Sequence, residues 1–517
     1  MRVRRSLLNF ATLLIYTAVT TLVALRATPL LQNWLGGKRF GASRVVLDAY
    51  GYLTLLELGL GGALAPLMSR AVGRGDDDGL HDTVAAGVRG YLRVSAVTVA
   101  VGALLTPVVP FFARGLSPTE AADFRTAWVV GLGSFLALAL IPMRSLVEVR
   151  QLGYVVNLLL TAQSLVTTGL SLWLASLGWG ITGQSAALVA GTWVFNLALT
   201  AGACRTHPGL LTAAVTRRPA AETRRALRGL SLPTLLINIS GRVSNLTDNL
   251  VVGSILGPDR VTSLFNTQRL AVLGQTLLSG IASASWAALA ELHARGDLET
   301  FNRRLIELSR LVAVLAVAGL APVIAYNHAF VRLWLGPDGP DFVYAGDLVV
   351  VVASINVFLI AQQSLWAWCF AATGHVGRIV SVTVSAAVLN LSVSVSLTHI
   401  LGVLGPLLGT TAAMTLIGMT ALPVLLRRVF ETPTGPLLRA VGGPLAWGVL
   451  LSSALYSVTR WHQPDRWVLL AAEMSAAAVA SLAFSAVFLL TPEDRDLWKR
   501  RLRAMRPART TAVAAEP

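Results

Sequence analysis

Apolar runs of about 20 residues recur along all 517 residues of this chain, and that recurrence leaves few folds open. Runs of that length match the hydrocarbon thickness of a bilayer, where backbone N–H and C=O groups find no water to bond. Helices and closed barrels meet that demand. The sequence lacks the ten-residue alternating segments of a barrel, so helices are expected. Charged residues make up 13% of the chain and hydrophobic ones 54%, whereas a soluble protein carries about 25% charged. The reading is an all-α polytopic membrane protein.

The spans are expected near 7–31, 45–70, 91–112, 124–147, 151–177, 181–203, 230–256, 261–290, 307–333, 343–370, 377–400, 403–426, 437–458 and 467–490. That is about 14 transmembrane helices, and an even count puts both termini on one side. The first, residues 1 to about 26, resembles a signal peptide, but its apolar run is too long and lacks a small-x-small cleavage site. It reads as a retained span. With the N-terminus inside, 30 of the 42 basic residues fall on the inside and 9 outside. Basic residues within three positions of a span end are counted here with the adjoining loop, and three lie deeper inside spans: Arg26, Arg242 and Arg269. That bias predicts that both termini are cytoplasmic. The net charge of +16 therefore follows topology, and no nucleic-acid partner is expected.

A segment near residue 35 recurs about 221 residues later without a gap. Leu35-Gly36 falls on Leu256-Gly257, Leu56 on Leu277, Gly59 on Gly280, Ala63 on Ala284, and Arg74-Gly75-Asp76 on Arg295-Gly296-Asp297. Each copy runs apolar span, short Gly turn, apolar span, basic loop. Two tandem copies starting on the same side imply two parallel-repeat six-helix bundles. The expected organisation is an N-terminal lobe at 1–204 and a basic, Pro-broken connector at 205–229. A C-terminal lobe follows at 230–430, then two extra C-terminal helices at 431–490 and a basic cytoplasmic tail at 491–517. The tail opens with Thr491-Pro492-Glu493-Asp494, a helix-cap pattern, followed by a basic stretch from Trp498 to Arg509. Reporter fusions after Arg74 and Arg295 should both read cytoplasmic; opposite sides would break the parallel arrangement.

Polar residues inside spans are costly and usually face a cavity or a partner helix. Asn238, Arg242, Asn245 and Asn249 stack on one face of span seven, with Asp248 beside them as a balance for Arg242. Span five offers Asn157, Thr161, Ser164, Thr168 and Ser171. Span two carries Tyr50, Thr54 and Glu57, and span ten Asn356, Gln362, Gln363 and Trp366. A water-filled chamber between two lobes suits these faces; helix-to-helix adhesion is the plainer explanation for the Ser and Thr stripes. Asp76-Asp77-Asp78 lacks calcium-loop spacing and reads as a helix cap. Cys204 and Cys369 lie near cytoplasmic span ends, so no disulfide is expected. No His/Cys/Asp cluster has ligand spacing, so no metal and no cofactor are expected. No Ser/His/Asp grouping and no long outer loop (the longest runs from Gly336 to Phe342) suggests an enzyme.

The segment 51–80, GYLTLLELGLGGALAPLMSRAVGRGDDDGL, resembles the second helix and loop of Wzx-type polysaccharide repeat-unit flippases. These belong to the multidrug/oligosaccharidyl-lipid/polysaccharide exporter superfamily. The segment 247–270, TDNLVVGSILGPDRVTSLFNTQRL, is similar to their seventh and eighth helices, including the acidic Asp248. Phe265 departs from the Tyr usual there. The resemblance implies an alternating-access flippase that moves an undecaprenyl-pyrophosphate-linked oligosaccharide to the outer leaflet, with polysaccharide polymerase machinery as a partner. Arg242, Arg269 and Arg26 would bind the pyrophosphate, and Asn238, Asn245 and Asn249 the sugar hydroxyls. Trp366 and Trp368 would stack on sugars or anchor at the interface. Asp248 or Glu57 would titrate if transport is ion-coupled. A lipid II flippase and a cation-coupled multidrug exporter of the same superfamily stand as alternatives. A membrane glycosyltransferase does not, because it needs a sizeable outer loop.

Overall fold

The computed structural model describes residues 2–57, 60–207, 209–221, 223, 225, 232–336, 344–489 and 495. Most of the expected outer loop, the end of the connector, the cap at 491–494 and the basic stretch after it lie outside the described residues.

The described residues form seventeen helices and no strand. They are α1 (Arg2–Leu53), α2 (Leu60–Arg74), α3 (Asp77–Leu105), α4 (Pro118–Leu136), α5 (Ile141–Val149), α6 (Gly153–Ser176), α7 (Gly180–Thr206) and α8 (Leu210–Thr216). Then come α9 (Leu232–Ile255), α10 (Pro258–Ala294), α11 (Leu298–Leu335), α12 (Asp347–Ala372), α13 (Val380–Leu401), α14 (Leu404–Ala413), α15 (Met419–Phe430), α16 (Thr434–Thr459) and α17 (Trp467–Phe484). Eleven stretches among them are long and apolar enough to cross a membrane. The all-α, polytopic class read from the sequence is the one observed. The helices of spans seven and eight, α9 and α10, are not among the eleven; α9 carries Asn238, Arg242, Asn245, Asp248 and Asn249 through its middle.

The first two expected spans share one long segment. The 52-residue segment α1 is two helices joined across a kink at Gly36, whose φ of 74° and ψ of 158° are non-helical and turn the chain. Only glycine takes such a φ without penalty. The matched glycines do the same backbone work in both copies: Gly257, Gly75 and Gly296 have φ of 100°, 66° and 75°. After Gly75, the N–H of Asp76 bonds back to the carbonyl of Ala71 (3.0 Å), and Asp297 does so to Leu292 (3.1 Å). Both are Schellman-type helix ends. Each aspartate then starts the next helix, Asp76 Oδ1 accepting from the Gly79 N–H (2.8 Å) and Asp297 Oδ1 from that of Thr300 (3.0 Å). That bond from the Thr300 N–H holds the Asp297 carboxyl below the usual carboxylate range.

The chain divides into two compact units. The first comprises residues 1–268, 334–352 and 376–418. Its main apolar core gathers Leu64, Met68, Leu80, Val84, Tyr91, Met143, Phe195 and Leu199 from α2, α3, α5 and α7. Tyr50 is buried, donating to the Ala127 carbonyl (2.6 Å) with its ring stacked on Trp128. Ser117 and Glu120 form a capping box at the start of α4, and Lys38 pairs with Glu120 at 2.9 Å. Asp123 accepts the Ile181 and Thr182 N–H groups, satisfying orphan donors at the start of α7.

The second unit comprises residues 269–333, 353–375 and 419–517. Phe301, Phe370, Phe430, His293 and His375 form one edge-to-face ring cluster. Trp366 is fully buried, and its indole N–H donates to Ser309 Oγ (3.0 Å), while Gln362 donates to the Ser309 carbonyl (3.1 Å). That face of span ten packs into a core, so Trp366 is no platform for sugars; Trp368 is exposed. In α16 and α17, Trp447 stacks on Phe484 with ring centroids 3.7 Å apart.

The acidic run at 76–78 does more than cap. Arg217 pairs with Asp78 (2.9 Å), and Asp82 accepts the Ala220 N–H (3.0 Å) and the Thr223 hydroxyl (2.8 Å). The connector is therefore tied to the start of α3. Asp82→Ala is expected to loosen that tie by about 1.5 kcal/mol, roughly tenfold in local opening. Limited proteolysis at 217–223 should accelerate accordingly, and an unchanged cleavage rate would contradict it.

Candidate functional site

Helix α1 carries Arg44, Asp48 and Tyr52 at i, i+4 and i+8, one stripe on one helix face. Helix α9 lies along that stripe. Asn249 Nδ2 donates to Asp48 Oδ2 at 2.7 Å, and the Tyr52 and Thr247 hydroxyls bond at 2.5 Å. Gly51 leaves room for Leu246, whose Cδ1 would stand 2.4 Å from any Cβ there. The Asp48 carboxylate acts electrostatically on Asp248, and Arg44 on Asp48. The guanidinium of Arg44 lies over the rings of Phe40 (4.7 Å) and Phe265 (4.6 Å), which themselves meet edge to face.

Nearer the Gly36 turn, α1 also seats on the start of α10. Thr262 donates to the Gly37 carbonyl at 2.6 Å. Gln32 and Asn266, both fully buried, exchange amide hydrogen bonds of 2.7 and 3.2 Å. Trp334 donates its indole N–H to the Leu25 carbonyl at 2.6 Å. Along this seam two acceptors are enclosed with no hydrogen-bond partner among the described residues, Asp248 Oδ1 and Asn249 Oδ1. A buried acceptor left so costs free energy unless something donates to it.

The structure thus brings Asp248 and Asn249 together with Asp48, which the sequence reading passed over. Arg242 and Asn238 are exposed on α9, and Arg26 is exposed on α1. The side chain of Asn245 lies outside the described residues. Glu57 accepts the Tyr91 hydroxyl at 2.5 Å, so its partner is a phenol of α3. Arg269, on α10, belongs to the second unit and is half-buried.

No family model matches the chain. Over 94% of its length and 99% of the other, it is similar to the lipid II flippase MurJ in an inward closed conformation, with TM-score 0.70 and 14% identity. It is also similar to an inward-facing multidrug-resistance MATE transporter of the MOP superfamily, with TM-score 0.60 and 16% identity over 85% of this chain and 96% of that one. The eukaryotic MATE transporter AtDTX14 gives TM-score 0.56 at 14% identity, covering 86% and 99%. A curated relative, the uncharacterized membrane protein EpsK of Bacillus subtilis (strain 168), is 22% identical over 275 residues. The match covers 52% of each chain, so this chain spans about half the length of that relative. The chain is a polytopic membrane protein with the fold that MATE transporters of the MOP superfamily and the lipid II flippase have in common.

Proposed function

We propose that this chain is an alternating-access flippase that carries a lipid-linked, pyrophosphate-bearing oligosaccharide from the cytoplasmic to the outer leaflet of the plasma membrane. The carrying observation is coverage: likeness to the lipid II flippase extends over 94% of the chain, against 85% for the inward-facing MATE transporter. The extra pair α16 and α17 lies beyond the twelve expected spans of the two lobes. The chemistry supports the same reading. A pyrophosphate is a dianion or more, and guanidinium forks bind such groups by charge-assisted, bidentate hydrogen bonds. Arg26, Arg242 and Arg269 are the proposed pyrophosphate ligands, and Asn238, Asn245 and Asn249 the proposed sugar contacts. Undecaprenyl pyrophosphate is the proposed carrier, and both termini are proposed to be cytoplasmic.

The second reading, a cation-coupled multidrug exporter, is favoured by the two acids Asp48 and Asp248 on this seam, since carboxylates within spans suit organic cations. Reconstitution separates the two. Proteoliposomes holding the purified chain should move a fluorescent undecaprenyl-pyrophosphate oligosaccharide to the opposite leaflet many-fold faster than protein-free vesicles. A lipid-linked substrate that stays in place, with uptake of cationic dyes, would replace the flippase by the exporter.

A further inference from the structure

We propose that Trp334 is a positioning residue for Arg26: its indole replaces a hydrogen bond that a proline removes from α1, and so fixes the peptide that carries the arginine. The inference rests on the reading of Arg26 as a pyrophosphate ligand. In an unbroken helix the Leu25 carbonyl accepts from the N–H four residues on. The residue there is Pro29, which has no N–H to give and whose ring crowds that same carbonyl. Inside a bilayer no water makes up the loss, so a neighbouring side chain must. The Thr28 hydroxyl, beside the proline, donates instead to the Ala24 carbonyl at 2.7 Å. The donor that reaches Leu25 is the indole N–H of Trp334, at 2.6 Å.

The indole is itself firmly held. Trp334 stands on the last turn of α11, which ends at Leu335 ahead of Gly336 with its φ of 93°. Its side chain is buried, where close packing leaves a large ring few alternative rotamers. The Leu25 oxygen and the Arg26 nitrogen belong to one planar peptide unit, so anchoring the first anchors the second. One turn before a proline that plane lacks its ordinary helical restraint, and the indole supplies it. A second tie follows seven residues on, where the Gln32 amide pairs with Asn266. Leu22, Arg26, Leu30 and Asn33, at i, i+4, i+8 and i+11, form a stripe about a quarter-turn from these ties, and all four are exposed. Helix α1 is thus fastened on one face and presents its arginine on another. A guanidinium at the end of a long side chain magnifies any tilt of the peptide that bears it.

The test has two arms, both on the full chain. In lipid nanodiscs with nitrogen-labelled tryptophan, the Trp334 indole is the signal, among thirteen tryptophans, that Trp334→Phe removes. It should be protected from solvent exchange, and it should shift in Pro29→Ala, where residue 29 regains an N–H that competes for the same carbonyl. An indole signal indifferent to Pro29→Ala overturns the proposal, whatever the protein transports. In proteoliposomes, Trp334→Phe should raise the half-saturating concentration of the undecaprenyl-pyrophosphate oligosaccharide roughly tenfold while the maximal rate holds. In an Arg26→Ala background the same substitution should add less than about twofold, since the group it positions is gone. An equal loss in both backgrounds would make Trp334 a purely structural residue and overturn the proposal. Unaltered protein that moves no such lipid, with the indole shift present, would instead sink the flippase reading, and the role of Trp334 in binding would fall with it.

Discussion

Alanine at Arg242 and Arg269 together is expected to abolish export of the surface glycan while leaving the protein in the membrane at normal abundance. A guanidinium bound to a phosphate oxygen contributes about 1.5–3 kcal/mol per charge-assisted bond. Losing two such contacts lowers transport by roughly a hundredfold or more at fixed cargo concentration. Lysine at the same positions keeps the charge but not the planar fork, so a partial defect is expected there. The side chain of Arg242 is exposed on α9, so its truncation opens no cavity in the described core. Quantifying surface polysaccharide alongside membrane-inserted protein checks the prediction. Normal output from the double variant would remove the arginines from the binding site.

The largest structural effect is expected at Gly41. A Cβ there would lie 1.9 Å from the carbonyl oxygen of Pro258 and 2.7 Å from its carbon. Both are backbone atoms, so no rotamer change relieves the clash, and α1 must withdraw from the start of α10. Overpacking of this kind costs about 1–3 kcal/mol, and the rigid partner puts Gly41→Ala at the upper end. The Gln32–Asn266 amide pair and the Thr262 bond to Gly37 sit on the same contact and should loosen with it. Gly37→Ala is the control, since its nearest neighbour would be Asp259 Oδ1 at an ordinary 3.8 Å. Thermal unfolding in detergent should fall for Gly41→Ala and hold for Gly37→Ala. Equal behaviour of the two would mean that α1 and α10 do not meet as described.

Much of the fold was legible because the bilayer imposes it. Apolar run length reports how much helix sits in hydrocarbon, which is why the expected spans overlay the observed helices from α3 onward. It does not report where a helix ends in water: α3 starts at Asp77, well before its apolar run, because Asp76 caps it there. The internal match was legible for a backbone reason, since Gly36, Gly75, Gly257 and Gly296 all hold positive φ.

The seam was harder to read. Arg44 and Asp48 fell at the edge of an expected span, where charge looks like loop, so their stripe with Tyr52 went unnoticed. Periodicity also says which residues share a face, but not what that face meets. Gln362 and Trp366 share a polar face, and Ser309 in a packed core absorbs it. Asn249 shares one too, and there the partner is Asp48.

The most direct measurement is extraction of polyprenyl-linked lipids from cells lacking this gene, with leaflet assignment by an impermeant glycosidase. Accumulated undecaprenyl-pyrophosphate oligosaccharide, protected from the enzyme in intact cells and released after lysis, is the predicted result. An unchanged lipid-linked pool together with new sensitivity to cationic drugs would contradict the flippase and point to the exporter.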